Sequence, residues 1–460
     1  MSTYKLSRYN HYLNPTAQNG PMVYNAVSNG LAKLDPEVYE LLSRGEQGLE
    51  AMEGDPSRAQ LLASLRKGHV IVEKDLDEIE FMRLKLNLSR FGNLGLSLTI
   101  VPTLGCNLAC TYCYEGLRGA KFMSDETEDA LVAFTKTQVE RFGYRSVVVS
   151  WFGGEPLMRP KRIYSLSKKL IALCKKAKIN YSSMVVTNGT YLNPSMARQL
   201  KAHKVSHVQV TIDGPKEIHD ARRPFKGGSK SSFDLITRNV ESVLGLLPVH
   251  VRINVDKTNH QRSLELVDEM RARGWFDEGK QCAFYVGYTR VWTPVCSSIA
   301  DQCFSMEEFS ETELQFQSDL LKRNFSLGNL YPSRSTYCMA AAPGGFVVGP
   351  DGELYKCWSD VNNLEACIGN VSTPLELNPK LMEWLNYDPL TQFPKCRECA
   401  FFPICAGGCP QVAIQRKNSD GCNCTPWKVL MNQKIDVFLT QLTQQQSKKP
   451  VEGGHHGVDH

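Results

Sequence analysis

The chain has 460 residues, more than one hydrophobic core usually serves, so two or three domains are expected. Its 42% hydrophobic and 22% charged residues are ordinary for a water-soluble protein, and a net charge of +5 is too mild to demand nucleic acid. No run reaches membrane-helix length and the polar start over 1–14 has no apolar signal core, so a cytoplasmic protein without nucleic-acid or membrane partners is expected.

In chain order, residues 1–95 read as a small α+β unit. It has β-like runs over 4–12 and 22–34, helical patterns over 36–43 and 59–65, and an apolar strand over 69–72. From 96 onward strands alternate with helices. Strands are expected over 96–101, 146–150, 183–187, 207–212, 250–255 and 281–287. Helices are expected over 125–141, 161–175, 195–203, 232–246, 261–273 and 306–323. Six βα units in succession predict an α/β fold, a partial (β/α)6 barrel of TIM type over 96–330, with its chemistry at the C-terminal strand ends. Residues 331–430 form a Gly-, Pro- and Cys-rich segment, and a helix is expected over 426–441. The final stretch, 431–460, reads as C-terminal helix followed by a disordered polar tail.

In a reducing compartment, 16 cysteines argue for metal or redox chemistry over disulfides. The loop after the first barrel strand reads Cys106-Asn-Leu-Ala-Cys110-Thr-Tyr-Cys113. Three thiols so spaced can grip three irons of a cubane cluster and leave the fourth open. A zinc site would want a fourth Cys or His nearby, and none lies close in sequence. The Cys-x3-Cys-x2-Cys pattern, with aromatic Tyr112 before its last cysteine, resembles the signature of the radical S-adenosylmethionine (SAM) superfamily. The resemblance implies a [4Fe–4S] cluster whose open iron binds SAM, and a 5′-deoxyadenosyl radical that abstracts hydrogen from substrate. Phe152-Gly153-Gly154-Glu155-Pro156, after the second strand, resembles the family's motif for the SAM amino group. Thr187 and Asn188, Thr211 and Asp213, Arg222, and Asn254 resemble its ribose- and carboxylate-contacting positions. Any one of these is equally at home as a strand-capping turn residue, and His219 reads as a loop-ordering residue.

The C-terminal array comprises Cys338, Cys357, Cys396, Cys399, Cys405, Cys409, Cys422 and Cys424, with Gly352 before Cys357. Paired knuckles of this kind also occur in structural zinc sites. The spacings resemble the SPASM extension of radical SAM enzymes, which implies two auxiliary iron–sulfur clusters. By that resemblance Cys396, Cys399 and Cys405 bind one with a terminal cysteine, Cys424 in preference to Cys422. Cys338, Cys357 and Cys409 bind the other, its fourth site open or filled by Cys303, Cys367 or Cys422. Cys174 and Cys282 read as core residues.

SPASM-bearing enzymes act mainly on peptides and proteins, so the resemblance implies a maturase of a ribosomally made precursor peptide. The sulfatase-maturing branch carries Asp after the cysteine matching Cys357, whereas this chain has Trp358 there and Asp360 two residues on. The first unit loosely resembles winged-helix leader-recognition modules and reads equally as a structural cap; in the latter case a separate leader-recognition protein would deliver the peptide. An electron donor such as flavodoxin or ferredoxin is implied as well. Rival readings are an iron–sulfur electron-transfer protein, a zinc-stabilised interaction protein, and a radical enzyme acting on a small metabolite.

Overall fold

The computed structural model describes residues 2–14, 20–92, 94–115, 119–228, 230–327, 337–415 and 424–447. In the first unit β1 (Tyr4–Leu6) pairs antiparallel with β5 (Ile71–Glu73). Strands β2 (Asn10–Leu13), β3 (Met22–Asn25) and β4 (Gly30–Lys33) form a three-stranded antiparallel sheet. Each long β-run expected from the sequence is therefore two short strands. The break between β3 and β4 is made by two asparagines: Asn25 Oδ1 accepts from the Val27 and Ser28 N–H groups, and Asn29 adopts φ 58°. Asparagine tolerates that left-handed backbone better than most residues. Helices Pro36–Ser43 and Ala59–Lys67 follow the expected pattern, whereas Glu46–Glu53 and Glu78–Phe91 were not anticipated. In the latter, Leu84, Leu88 and Phe91 are each more than half exposed, so apolar residues off the buried face blur the helical period.

The barrel strands are β6 (Gly95–Ile100), β7 (Ser146–Trp151), β8 (Asn180–Thr187), β9 (Val205–Thr211), β10 (Val249–Val255) and β11 (Cys282–Tyr288), each parallel to its sequence neighbour. Helices Asp125–Phe142, Pro160–Ala177, Pro194–Ala202, Ser232–Val243 and Ser263–Ala272 connect them, as the alternating pattern predicts. Fully buried Val147, Val149, Trp151, Val208, Val210, Val251 and Ile253 belong to one continuous core. Each such side chain contributes roughly 1.5–3 kcal/mol by leaving water. Cys174 is buried in this core and Cys282 packs against it. The expected α/β architecture of partial-barrel type is what the chain adopts.

The Cys-rich segment also supplies strands. β12 (Gly345–Val348) pairs parallel with β6, β13 (Glu353–Tyr355) returns antiparallel, and β14 (Gly369–Asn370) closes a nine-stranded sheet. These strands are four residues or shorter, below the length at which a two-residue alternation is legible. The first unit docks on the same segment. His11 lies against Phe401 with ring centres 4.1 Å apart, and Arg90 donates to the carbonyls of Ala341, Tyr387 and Leu385. The last helix, Met431–Ser447, reaches six residues beyond its expected end; the rest of the tail lies outside the described residues. Among the described residues no helix is long and apolar enough to cross a membrane.

Candidate active site

The chain leaving β6 is pinned on both sides before it presents its cysteines. Thr103 Oγ1 donates to the Lys121 carbonyl and accepts from the Gly105 N–H. Farther on, the N–H groups of Ala109 and Thr111 donate to the carbonyls of Pro224 and Arg222. Between these anchors Cys106, Cys110 and Cys113 line one cavity of about 590 Å³ at the C-terminal ends of the barrel strands. That volume suits a cofactor-sized ligand. Burial pushes the Cys106 thiol up to about 12 and raises Cys110. Such thiols lose their protons to a bound metal far more readily than to water.

Gly153 and Gly154 bring the end of β7 against the cysteine loop. A Cβ on Gly153, at φ 117°, would come within 2.5 Å of the Thr103 carbonyl oxygen; one on Gly154 would meet the Gly105 oxygen at 2.3 Å. Close backbone approach is thus required by the loop as well as by any ligand. Glu155 is fully buried behind this wall. Its carboxylate accepts from Thr187 Oγ1 at 2.7 Å and from the N–H groups of Leu157 and Asn188. Burial raises its pKa to about 7 against the pull of those hydrogen bonds. The Asn188 amide in turn donates to Asn107 and lies 3.7 Å from Cys106 Sγ.

Tyr112 is the hub of the opposite wall. Its hydroxyl donates to Asp213 at 2.5 Å and accepts from Arg223 Nη1 at 2.6 Å and Asn254 Nδ2 at 3.1 Å. Arg222 bridges Asp213 at 3.3 Å and Asp256 at 2.6 Å, with its guanidinium over the Tyr112 ring. Of the residues expected from the sequence, Tyr112, Gly153, Gly154, Thr187, Asn188, Thr211 and Asn254 line the cavity with the three cysteines. Glu155, Asp213 and Arg222 stand one layer behind, holding those lining groups in place. The buried cation that does face the cavity is Arg223, which sequence reasoning missed. Helix Lys216–Arg222 ends between the two arginines, and Arg223, at φ −132°, turns its side chain toward Tyr112. A one-residue choice at a helix end leaves no mark in the sequence pattern. Arg252, Tyr288, Arg290 and Trp292 complete the rim and were also not anticipated.

A second cavity, of about 690 Å³, lies across that rim and shares Arg252, Tyr288, Arg290 and Trp292 with the first. Its wall carries Cys338, Cys405, Cys409 and Cys424, drawn from both expected auxiliary ligand sets. Cys357 is a neighbour of Cys409, and burial pushes its thiol up to about 12. Cys396 is buried where the first unit meets the Cys-rich segment, with Cys399 packed beside it. Cys303 and Cys367 do not line the second cavity; their thiols donate to the carbonyls of Ile299 and Gly369. Cys422 lies outside the described residues. Among the described residues no three Cys, His, Asp or Glu side chains converge on a point that would hold a single ion. A cubane, whose irons take one thiolate each, asks for no such convergence.

Residues 100–290 match the family model described as the radical SAM superfamily. The chain is 24% identical over 345 residues to the serine-type anaerobic sulfatase-maturating enzyme of Klebsiella aerogenes, covering 66% of this chain and 77% of that protein. It is 25% identical over 358 residues to the cysteine-type enzyme of Clostridium perfringens (strain 13 / Type A), covering 71% and 91%. Among solved structures, anSMEcpe with bound AdoMet superposes with a TM-score of 0.56 at 19% identity, over 77% of this chain and all of that one. Streptococcus suis SuiB bound to its precursor peptide SuiA superposes with a TM-score of 0.51 at 14% identity, over 90% and 97%. The three-thiol loop at the strand ends, the cavity it frames and the family model matched over residues 100–290 together make this an enzyme with a radical SAM domain, built for a [4Fe–4S] cluster and SAM.

Proposed function

We propose that this chain is a peptide maturase: it modifies a ribosomally synthesised peptide, its first cluster held by Cys106, Cys110 and Cys113. Two auxiliary iron–sulfur clusters would occupy the Cys-rich segment. The observation that carries this reading is the shared rim: a cavity lined by the cysteine trio adjoins a second cavity lined by four more thiols, and Arg252, Tyr288, Arg290 and Trp292 line both. When bound, the cluster and SAM supply a 5′-deoxyadenosyl radical that takes a hydrogen atom from the substrate.

The chain's own residues do the rest. Arg223 offers a buried cation to a carboxylate, and the Gly153–Gly154 backbone and Asn188 offer small polar surfaces for the remainder of SAM. Phe152, Trp292 and Trp358 give the opening an aromatic lining that excludes water from the reacting centre. The rim is wide enough in chemistry, two guanidiniums and two aromatics, to seat a peptide segment between the cavities. A donor of the flavodoxin or ferredoxin type would supply electrons in the cytoplasm. Residues 1–95 would recognise a leader, or leave that to a separate recognition protein; the likeness to SuiB, solved with a precursor peptide, supports the former.

A second reading, maturation of a sulfatase, is favoured by the names of the curated relatives. Trp358 weighs against it. The side chain following Cys357 is an indole that packs on Phe152 at 4.8 Å and lines the cavity, whereas Asp360 lies buried beyond it. The test is anaerobic incubation of the loaded enzyme with SAM, a reductant, and either a short peptide encoded beside its gene or a sulfatase-derived peptide. A mass change in the former alone supports peptide maturation. A change in the latter alone supports the second reading, and 5′-deoxyadenosine with neither peptide altered overturns both.

A further inference from the structure

Lys356 is fully buried, immediately before Cys357. Its ammonium donates to the carbonyls of Ala342, at 2.7 Å, and Gly345, and lies 4.9 Å from the centre of the Phe346 ring. It thereby ties the chain that follows Cys338 to the chain that precedes Cys357. Among the described residues no carboxylate forms an ion pair with it. The ionisable groups that bear on it are the Cys338 thiol and the Arg90 guanidinium, a second cation. A fully buried ammonium whose hydrogen-bond acceptors are carbonyls is strongly disfavoured unless an anion completes its surroundings.

The identity of that anion rests on the reading under Proposed function that auxiliary clusters occupy the Cys-rich segment; the SPASM resemblance gives Cys338, Cys357 and Cys409 to one of them. Thiolates and sulfides make such a cluster anionic, and it is the one anion that reading places beside Lys356. We propose that Lys356 is a positioning residue for this auxiliary cluster, fixing the backbone that carries two of its ligands and supplying the buried positive charge that offsets the cluster's own. A cation at this place favours the reduced form, which carries one more negative charge, and so raises the cluster's potential.

Redox titration followed by electron paramagnetic resonance tests the assignment, in a background where Cys106, Cys110 and Cys113 are alanine so that only auxiliary signals remain. Lys356→Gln keeps a donor for the carbonyls and removes only the charge; Lys356→Met removes both. The expected result is a midpoint shifted to more negative potential in Lys356→Gln, and the same shift with reduced iron content in Lys356→Met. If either variant fails to load, Lys356→Arg is the control that retains charge, and it should load with a midpoint near that of the unmodified protein. A Lys356→Gln protein with full iron and an unmoved midpoint overturns the assignment, as does an Arg variant no better loaded than Lys356→Met. Iron content unchanged when Cys338 and Cys357 are both replaced by alanine would instead remove the cluster itself, and the underlying reading with it.

Discussion

Two adjacent arginines divide the labour of the cavity's buried cations. Arg222 holds the carboxylates of Asp213 and Asp256 behind the wall, whereas Arg223 meets Tyr112 and faces the cavity. Removing one partner of a buried ion pair strands the others, typically at about 3–5 kcal/mol. Arg222→Met is therefore expected to lower the protein's resistance to denaturant by about that amount, read by chemical unfolding. Arg223→Met removes a charge-assisted contact of about 1.5–3 kcal/mol. Its expected signature is SAM affinity weakened by roughly ten- to a hundred-fold in calorimetry, with a smaller stability loss than Arg222→Met. His219, on the same helix, accepts the Asp213 N–H through Nδ1 and packs edge-on against Phe233. Burial, aided by Arg223, holds its pKa down at about 4. In the unfolded chain it titrates near 6.5, so between pH 6.5 and 4 the unfolded state binds the extra proton. Folding stability is then intact above pH 6.5 and falls as pH drops through that window. Between pH 7 and 5 the unmodified protein should lose about 2 kcal/mol more than His219→Gln, measured by denaturant unfolding at both values. Equal losses in the two proteins would exclude His219 as the titrating group.

At the scale of elements, the barrel was legible because its strands are long and apolar and its helices amphipathic; the six parallel strands fall within a few residues of their expected limits. The cysteine trio was legible for a different reason, since its chemistry depends on residue type and spacing within one loop. What the sequence hid were features set by tertiary contact: the three short strands of the Cys-rich segment, the choice of Arg223 over Arg222, and the rim residues on and after β11. The glycines after β7 show both levels at once. Their motif is visible in the sequence, but the structure assigns them a second duty, letting β7 abut the loop that carries Cys106. A methyl group on Gly154 has nowhere to go, because the Leu104 and Gly105 carbonyls stand 2.5 and 2.3 Å from its place. Both obstacles are backbone, so the loop itself must move, at a cost of about 1–3 kcal/mol. Gly154→Ala should consequently load less iron at the first cluster while the auxiliary iron stays in place, checked by iron and sulfide analysis together with SAM-dependent spectral change. Full first-cluster loading in that variant would show that the loop yields without displacing its thiols.

Over the whole molecule, the first unit and the Cys-rich segment are one folding problem. Tyr9, Leu13, Met22, Tyr24 and Met82 share a buried cluster with Leu390, Cys396, Phe402 and Ile404, and Met431 and Ile435 of the last helix complete it. The short helices Pro394–Arg397 and Phe402–Cys405, which carry Cys396 and Cys405, span four residues each and are too short to hold their shape by helix energetics alone. They depend on that shared core from one side and, on the proposed reading, on iron from the other. Metal-ligand bonds of this type contribute folding energy directly, so taking the metal away should loosen every element that leans on the knuckle. Stripping auxiliary iron with a chelator under anaerobic conditions is thus expected to speed tryptic cleavage within residues 1–92, which contain no cysteine. The barrel helices between β6 and β10, packed on their own core, should keep their protection. Limited proteolysis followed by mass spectrometry of the fragments measures both at once. Cleavage of the first unit at the same rate with and without iron would mean that its docking on Phe401 and Phe402 is self-sufficient and that the clusters serve chemistry alone.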